Sequence, residues 1–187
     1  MTGSAEDPPF RALAEDVVYE SRLLRVARGT FAAPDGTEFQ RDVVHHPGWV
    51  AVVPLTDDGH VVCVRQYRAA VGTWLLEVPA GICDVDGEAP EVTARRELAE
   101  EAGLAAAHVE LVATIHNSPG FADERGWLFL ATGLSEVPLD RQGVEEDHMQ
   151  VVRVPVADAA RLVAAGEVTD AKTVVGLLLA ASRELNR

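Results

Sequence analysis

Apolar and polar residues alternate through much of the chain, and this period of two predicts a series of short β-strands. Before residue 90 the predicted strands are Val17–Ala27, Glu38–His45, Val50–Leu55, His60–Arg65 and Trp74–Val78. After residue 103 they are Val109–Ile115, Gly126–Thr132 and Val151–Val156. Turn-forming strings separate several of them, for example Pro34-Asp35-Gly36 and Asp57-Asp58-Gly59.

Three segments have the pattern of helices instead. Pro90 suits the first position of a helix and Gly103 the residue that ends one, which predicts a helix over 90–102. Further helices are predicted at Ala157–Ala165 and from Ala171 to the end, the latter capped by Thr169 or Asp170. Strands mixed with helices in this order predict an α/β protein whose mixed sheet is covered by helices on both faces.

The chain divides into three predicted segments. Residues 1–14 are polar and contain prolines, so we expect them to be poorly ordered. Residues 15–46 form a predicted N-terminal antiparallel β-hairpin, set apart because Pro47-Gly48 follows it. Residues 47–187 form the main domain.

Composition excludes some partners and leaves others open. The 187 residues include 16 basic and 30 acidic ones, and the net charge of −14 opposes broad association with nucleic acid or an anionic membrane. No apolar run has the length of a membrane span and the N-terminus lacks signal-peptide features, so we expect a cytoplasmic protein. Cys63 and Cys83 are expected to be free thiols.

The predicted helix 90–102 places three carboxylates on one side. Glu97, Glu100 and Glu101 are three and four residues apart, and such neighbours repel one another unless cations intervene. Hard oxygen ligands favour Mg²⁺ or Mn²⁺, which points to phosphate chemistry. The alternative is a solvated helix face laced with ion pairs.

The context of these carboxylates resembles the Nudix box. The matching residues are Glu88, Arg96, Glu97, Leu98, Glu100, Glu101, Gly103 and Leu104. One position departs, because six residues rather than five separate Gly81 from Glu88. The resemblance implies a Nudix α/β/α sandwich with an N-terminal hairpin, metal ligation by the three glutamates with the Ala80 carbonyl, and a structural pair between Glu88 and Arg96.

Three further strings resemble the branch of this family that hydrolyses ADP-ribose. Pro119 lies sixteen residues after Gly103. The three strings are Ser118-Pro119-Gly120 followed by Glu124, Arg65-Gln66-Tyr67-Arg68 and Leu75-Leu76-Glu77. The resemblance implies metal-dependent hydrolysis of ADP-ribose to AMP and ribose 5-phosphate by a homodimer with exchanged hairpins.

The same resemblance implies roles for residues outside the box. Glu145 or Glu146 is the predicted base, and Glu145 is preferred because Asp147, two residues on, suits a further metal ligand. Glu124 is expected to support catalysis. Expected substrate contacts are Arg68, Arg41, Glu77, Pro119 and Gly120. Three alternatives stay open. One is that 143–148 is a solvated acidic loop without function, and another is that Arg68 is an ordinary surface arginine. The third concerns Trp49, which is either an adenine platform or a core residue.

Two other functions are compatible with these motifs. The same chemistry on another nucleoside diphosphate sugar or a dinucleotide is the nearer one, since the box contacts only diphosphate and metal. The other is a non-catalytic module that senses ADP-ribose. The intact box glutamates favour an enzyme.

Overall fold

A computed structural model describes residues 9–139 and 147–184 of the protein. These described residues form two compact units, one within 1–47 together with 116–124 and one within 48–115 together with 125–187. The first unit contains the predicted N-terminal hairpin and, in addition, the segment with the Ser118-Pro119-Gly120 string.

The first unit is a three-stranded antiparallel sheet in the order β1-β2-β3, formed by Arg11–Glu20, Arg25–Ala32 and Glu38–His45. The predicted single strand Val17–Ala27 is wrong, because the chain reverses between β1 and β2. There the Ser21 hydroxyl accepts the Leu24 N–H at 3.0 Å and the Ser21 N–H donates to the Leu24 carbonyl at 2.8 Å. Residues 11–14, which we expected to be poorly ordered, belong to β1.

Backbone hydrogen bonds join the segment 116–124 to β3. The Val44 N–H donates to the Phe121 carbonyl at 2.7 Å, and the Asp123 N–H donates to the Val44 carbonyl at 3.1 Å. Val44 and Ala122 thereby form a parallel bridge. The segment therefore belongs to the N-terminal unit, although some 70 residues of chain lie between them.

The second unit contains the other strands and the helices of the described chain. Its strands are β4 (Trp49–Pro54), β5 (His60–Arg68), β6 (Thr73–Glu77), β7 (Ala80–Ile82), β8 (Leu104–His116, whose last residue belongs to the first unit), β9 (Arg125–Glu136) and β10 (Gln150–Pro155). Its helices are α1 (Pro90–Ala102), α2 (Ala159–Ala164, after a 3-10 turn at Val156–Asp158) and α3 (Ala171–Glu184).

Two sheets form the middle layer of this unit, in the orders β7-β4-β9-β8 and β10-β5-β6. Strand β4 is antiparallel to β7 and parallel to β9, so the predicted mixed sheet is confirmed. The short strand β7 was not predicted from the sequence, since three residues are too few for a period to be visible.

Alternate residues of β4 face two separate cores. Ala51 and Val53 pack with α2 and α3, whereas Val50 and Val52 pack with Ala94 and Leu98 of α1. Helices therefore cover both faces, which confirms the expected α/β/α sandwich. In the part of the chain that the structure describes, no helix is long and apolar enough to cross a membrane.

Local signals position the helices as predicted. Helix α1 begins at Pro90 and ends before Gly103, whose φ of 65° is left-handed and whose N–H donates to the Ala99 carbonyl. Asp170, one of the two predicted caps, caps α3 by accepting the Thr173 N–H at 2.9 Å. The predicted helix at Ala157–Ala165 begins as a 3-10 turn, so its α-helical part is shorter.

Candidate active site

The site is built on the side of α1 that carries the three carboxylates. Glu97 and Glu101 are only 9% and 5% exposed, and Glu100 is half-buried. Ala94 and Leu98 anchor the helix in the core, so it presents these carboxylates from a fixed backbone. Buried carboxylates are costly unless they are paired or bind a cation.

The chain at the start of β7 fits closely against two of these carboxylates. The Ala80 N–H donates to Glu101 Oε2 at 2.9 Å. A Cβ added to Gly81 would lie 2.0 Å from the carboxyl carbon of Glu97, so a larger residue at this position would displace the Glu97 side chain. The glycine that opens the box motif is thus explained by the volume of the Glu97 side chain.

Arg96 supplies positive charge to the cluster. Its Nη1 lies 2.8 Å from Glu97 Oε1 and 2.8 Å from Glu100 Oε2. Its predicted partner Glu88 is farther away, at 3.8 Å from Nη2, and accepts a hydrogen bond from the Thr93 hydroxyl at 2.7 Å. Arg96 therefore pairs mainly with the carboxylates expected to hold metal.

The donor chemistry of the cluster fits a hard divalent cation. Glu97, Glu100 and Glu101 offer carboxylate oxygens, and Ala80 beside them offers a carbonyl. Within residues 9–139 and 147–184, no group of three or more His, Cys, Asp or Glu side chains converges as a ready-made metal cage. Arg96 instead bridges two of the carboxylates.

A second charged group surrounds Glu77, which is only 1% exposed. Arg68 binds it through two hydrogen bonds of 2.8 Å, from Nε to Oε1 and from Nη2 to Oε2. Lys172 Nζ lies 2.6 Å from Oε2 of the same carboxylate and 2.7 Å from Asp170 Oδ1. Arg68 is therefore not an ordinary surface arginine, because its fork is engaged by a buried carboxylate.

Arg68 and Lys172 determine the ionisation state of Glu77. Burial by itself would raise the pKa of Glu77, but the hydrogen bonds and charges of Arg68 and Lys172 outweigh burial, and its pKa is lowered. The Glu77 hydrogen bond likewise raises the pKa of Arg68. Sequence reasoning missed Lys172, which lies 95 residues from Glu77 and matches no motif.

The N-terminal unit contains a cavity of about 540 Å³. Phe31 and Phe39 stack in it with ring centroids 5.6 Å apart, and the Arg41 guanidinium lies 5.0 Å from the Phe39 ring centre. Three of the predicted substrate contacts, Arg41, Pro119 and Gly120, line this cavity together. Aromatic faces with a nearby arginine suit a planar, charged ligand.

His45 links three parts of this unit. Its Nδ1 lies 2.6 Å from Asp123 Oδ2 and its Nε2 lies 2.9 Å from Glu15 Oε2. The hydrogen bond to Asp123 is the main reason that the pKa of His45 is raised, with a smaller contribution from Glu15. No motif indicated this arrangement, whose partners lie 30 and 78 residues from the histidine.

The other predicted site residues and the two cysteines lie in different parts of the structure. Trp49 packs in the core, against Gly126, and is therefore not an adenine platform. Glu124 is half-buried in the N-terminal unit, and Asp147 is exposed in the other. Glu145 and Glu146, the candidate bases, lie outside the described residues. Cys63 and Cys83 are free thiols, as predicted.

Comparison with known proteins agrees with this geometry. Residues 44–175 match the NUDIX domain family. The chain belongs to the Nudix family. Its relatives include an ADP-ribose pyrophosphatase of Mycobacterium tuberculosis, 38% identical over 90% of this chain and 82% of the relative. An ADP-ribose pyrophosphatase of Bacillus subtilis is 36% identical over 89% and 90% of the two chains.

A solved structure shows the same fold. A crystal structure described as an ADP compounds hydrolase superposes with a TM-score of 0.80, covering 97% of this chain and 96% of that chain at 24% identity. Nudix hydrolases are in general dependent on divalent metals, in agreement with the carboxylates of α1. The one-residue departure from the Nudix box lies between Gly81 and Glu88, a stretch in which residues 84–87 are exposed and an insertion is cheap.

Proposed function

We propose that this Nudix protein hydrolyses the diphosphate of ADP-ribose to AMP and ribose 5-phosphate with Mg²⁺. The observation that carries the proposal is the pair of buried box carboxylates, Glu97 and Glu101, on a helix that also presents Glu100. The substrate is inferred from the two ADP-ribose pyrophosphatases that resemble this chain over about nine-tenths of its length.

Metal binding is assigned to oxygen donors of the second unit. Glu97, Glu100 and Glu101 would hold the ion or ions, together with the Ala80 carbonyl and Asp147. This all-oxygen set favours Mg²⁺, with Mn²⁺ as a substitute. When bound, such ions neutralise phosphate oxygens and lower the pKa of a bound water.

The chain must also supply a base and cations. Glu145 is our choice for the base that accepts a proton from the attacking water, with Glu146 as the alternative. Arg68 is assigned to a phosphate of the substrate through its Nη1, because Glu77 engages its Nε and Nη2. Glu77 then acts by orienting Arg68, which it binds through both carboxylate oxygens. Glu124 is assigned a supporting role.

The nucleoside is assigned to the cavity of the N-terminal unit. Stacked aromatic rings accept a purine base, and Arg41 adds positive charge beside Phe39. Pro119 and Gly120 line the same cavity and add no charge to it. The lining also contains the carboxylates Asp42 and Asp123, so Arg41 is the cation that an anionic nucleotide would need on a chain with a net charge of −14.

A homodimer with exchanged N-terminal sheets belongs to the proposal. Strand β1 lies at the edge of its sheet and is exposed along its whole length. Its exposed apolar residues include Leu13, Val17, Val18 and Tyr19. An exposed apolar edge strand suits association with a second chain.

A cytoplasmic location stays a prediction.

Initial rates on a panel of diphosphates test the substrate. The panel contains ADP-ribose, ADP-glucose, GDP-mannose and diadenosine diphosphate, each with Mg²⁺ and with chelator. We expect the highest kcat/KM for ADP-ribose, equal amounts of AMP and ribose 5-phosphate, and no turnover with chelator. A higher value for another compound would reassign the substrate, and ADP-ribose binding without turnover would indicate a sensor.

A further inference from the structure

The segment Glu77–Ala80 leads from β6 directly into the candidate metal site, and its backbone is held on several sides. The Ala80 N–H donates to Glu101, and the Pro79 carbonyl accepts the Val52 N–H at 2.8 Å. This carbonyl is the only backbone hydrogen-bonding group of Pro79, because proline has no N–H. The N–H of Val78, a residue with no exposed surface, donates to Thr173 Oγ1 at 2.8 Å.

Thr173 lies in the first turn of α3, and its hydroxyl has a defined orientation. Its Oγ1 donates to Asp170 Oδ2 at 2.6 Å, while its backbone N–H donates to the same oxygen at 2.9 Å. A hydroxyl has a single hydrogen, so donation to Asp170 directs a lone pair of Oγ1 to the Val78 N–H. The helix cap therefore also determines how the segment before Ala80 is bound.

Lys172 makes the parallel contact one residue earlier. Its ammonium group lies between Glu77 Oε2 and Asp170 Oδ1, at 2.6 and 2.7 Å. Two consecutive residues of α3 thus bind two consecutive residues of the segment, Glu77 and Val78. Asp170 binds both members of the helical pair.

We propose that Lys172 and Thr173, oriented by Asp170, are positioning residues of the metal site, because they fix the segment whose last residue presents the Ala80 carbonyl. The inference rests on the proposed metal-dependent function. It adds that the N-terminus of α3, from which no metal ligand has been assigned, sets the affinity for the ion. Residues that orient metal ligands change metal affinity by about 10- to 100-fold when removed.

The packing of α3 separates this role from the stability of the helix. Leu177 and Ala180 anchor α3 in the core independently of its first turn. Loss of the Thr173 hydroxyl would leave the helix packed but deprive a buried N–H of its acceptor. The peptide chain at residues 78–80 would then shift or find another partner, and the Ala80 carbonyl would move with it.

Titration of the protein with Mn²⁺, followed by the electron paramagnetic resonance signal of the free ion, tests the proposal without substrate. We expect Thr173→Val to weaken Mn²⁺ binding by about tenfold. Thr173→Ser keeps the hydroxyl and should bind Mn²⁺ within about threefold of the unchanged protein. Leu177→Val is the matched control, since it removes one buried methyl group from the same helix but leaves Asp170, Lys172 and the Thr173 hydroxyl in place.

Lys172→Met is a second test of the proposal. In this variant Glu77 keeps its two hydrogen bonds to Arg68, so the fold should persist. It should also weaken Mn²⁺ binding by about tenfold. Unchanged Mn²⁺ affinity in the valine and methionine variants would overturn the positioning role alone, as would an equal loss in Leu177→Val. Failure of the unchanged protein to bind Mn²⁺ would overturn the metal site and this role together.

Discussion

The backbone N–H of Ala80 donates a hydrogen bond of 2.9 Å to the carboxylate of Glu101, 21 residues later in the chain. The bond joins β7 to the last turn of α1 and holds one oxygen of the carboxylate in place. A carboxylate has two oxygens with several lone pairs, so it can accept this hydrogen bond and bind a cation at the same time.

Replacement of Glu101 by Gln should abolish most activity while preserving the fold. Glutamine still accepts the Ala80 N–H through its carbonyl oxygen but lacks the negative charge that binds a cation. We expect kcat/KM to fall by about 100-fold or more, with little change in thermal stability. Glu91→Gln, on the exposed side of the same helix, is the control and should leave the rate unchanged. Retained turnover in Glu101→Gln would remove this residue from the metal site.

Replacement of Gly81 by Ala should damage the site through its shape. The added methyl group would overlap the Glu97 carboxyl group, so that side chain must move. We expect roughly tenfold or greater loss of Mn²⁺ affinity and of activity. Gly59→Ala is the control, because its φ of +76° costs folding stability while the new methyl meets no neighbour. Unchanged Mn²⁺ affinity and activity in Gly81→Ala would show that Glu97 is not needed in its present position.

Glu145→Gln and Glu146→Gln distinguish the two candidate bases. Loss of a general base acts on the transition state, so Glu145→Gln should lower kcat by roughly 10²–10⁴ with KM changed only a few-fold. The change at residue 146 should be much milder. The reverse order of severity in steady-state kinetics would transfer the role of base to Glu146.

His45 should make the stability of the protein depend on pH. Its pKa in the folded protein lies above the ordinary value of 6.5, so its contribution is fully present below pH 6.5 and is lost as pH rises through the raised pKa. The pKa of Asp123 is lowered, mainly by its bond to His45 against the effect of burial, so its contribution is lost only at acid pH.

Thermal unfolding of the protein and of His45→Gln measures this effect. The difference in Tm should be larger at pH 6 than at pH 9. Asp123→Asn should reduce the pH dependence of that difference, because the main partner is then neutral. A difference in Tm that is constant from pH 6 to pH 9 would contradict the assignment.

Val18→Lys tests the dimer. Val18 is exposed on β1, so a lysine there should cost the isolated chain little stability but should disfavour an apolar contact with a second chain. Sedimentation equilibrium at micromolar concentration should show a dimer for the unchanged protein and a monomer for Val18→Lys. Thr37→Lys, an equal change of charge at an exposed turn, is the control. An unchanged protein that is monomeric and fully active would contradict the dimer.

Local signals in the sequence were enough to predict helix α1. Pro90 and Gly103 predicted its ends, and the spacing of Glu97 and Glu101 predicted a shared side, because both depend only on residues a turn apart. The same local rules failed at Ser21, whose hydroxyl makes a turn without Gly or Pro.

Contacts between distant residues could not be predicted in this way. Lys172 and Glu77 meet only because α3 packs on the sheet, and no spacing rule connects residues 95 apart. The bridge between Val44 and Ala122 consists of backbone groups, which every residue has. Neither arrangement leaves a mark in the composition of the segments that form it.

The hydrogen bonds of Val44 also determine what can be exchanged between proteins of this kind. A chimera that takes its first 47 residues from a relative would keep a host segment 116–124 that evolved against a different β3. The Phe121 carbonyl and the Asp123 N–H would still find a backbone, but Asp123 would need a histidine at position 45. The transferable module therefore has two pieces, and both have to come from the same parent.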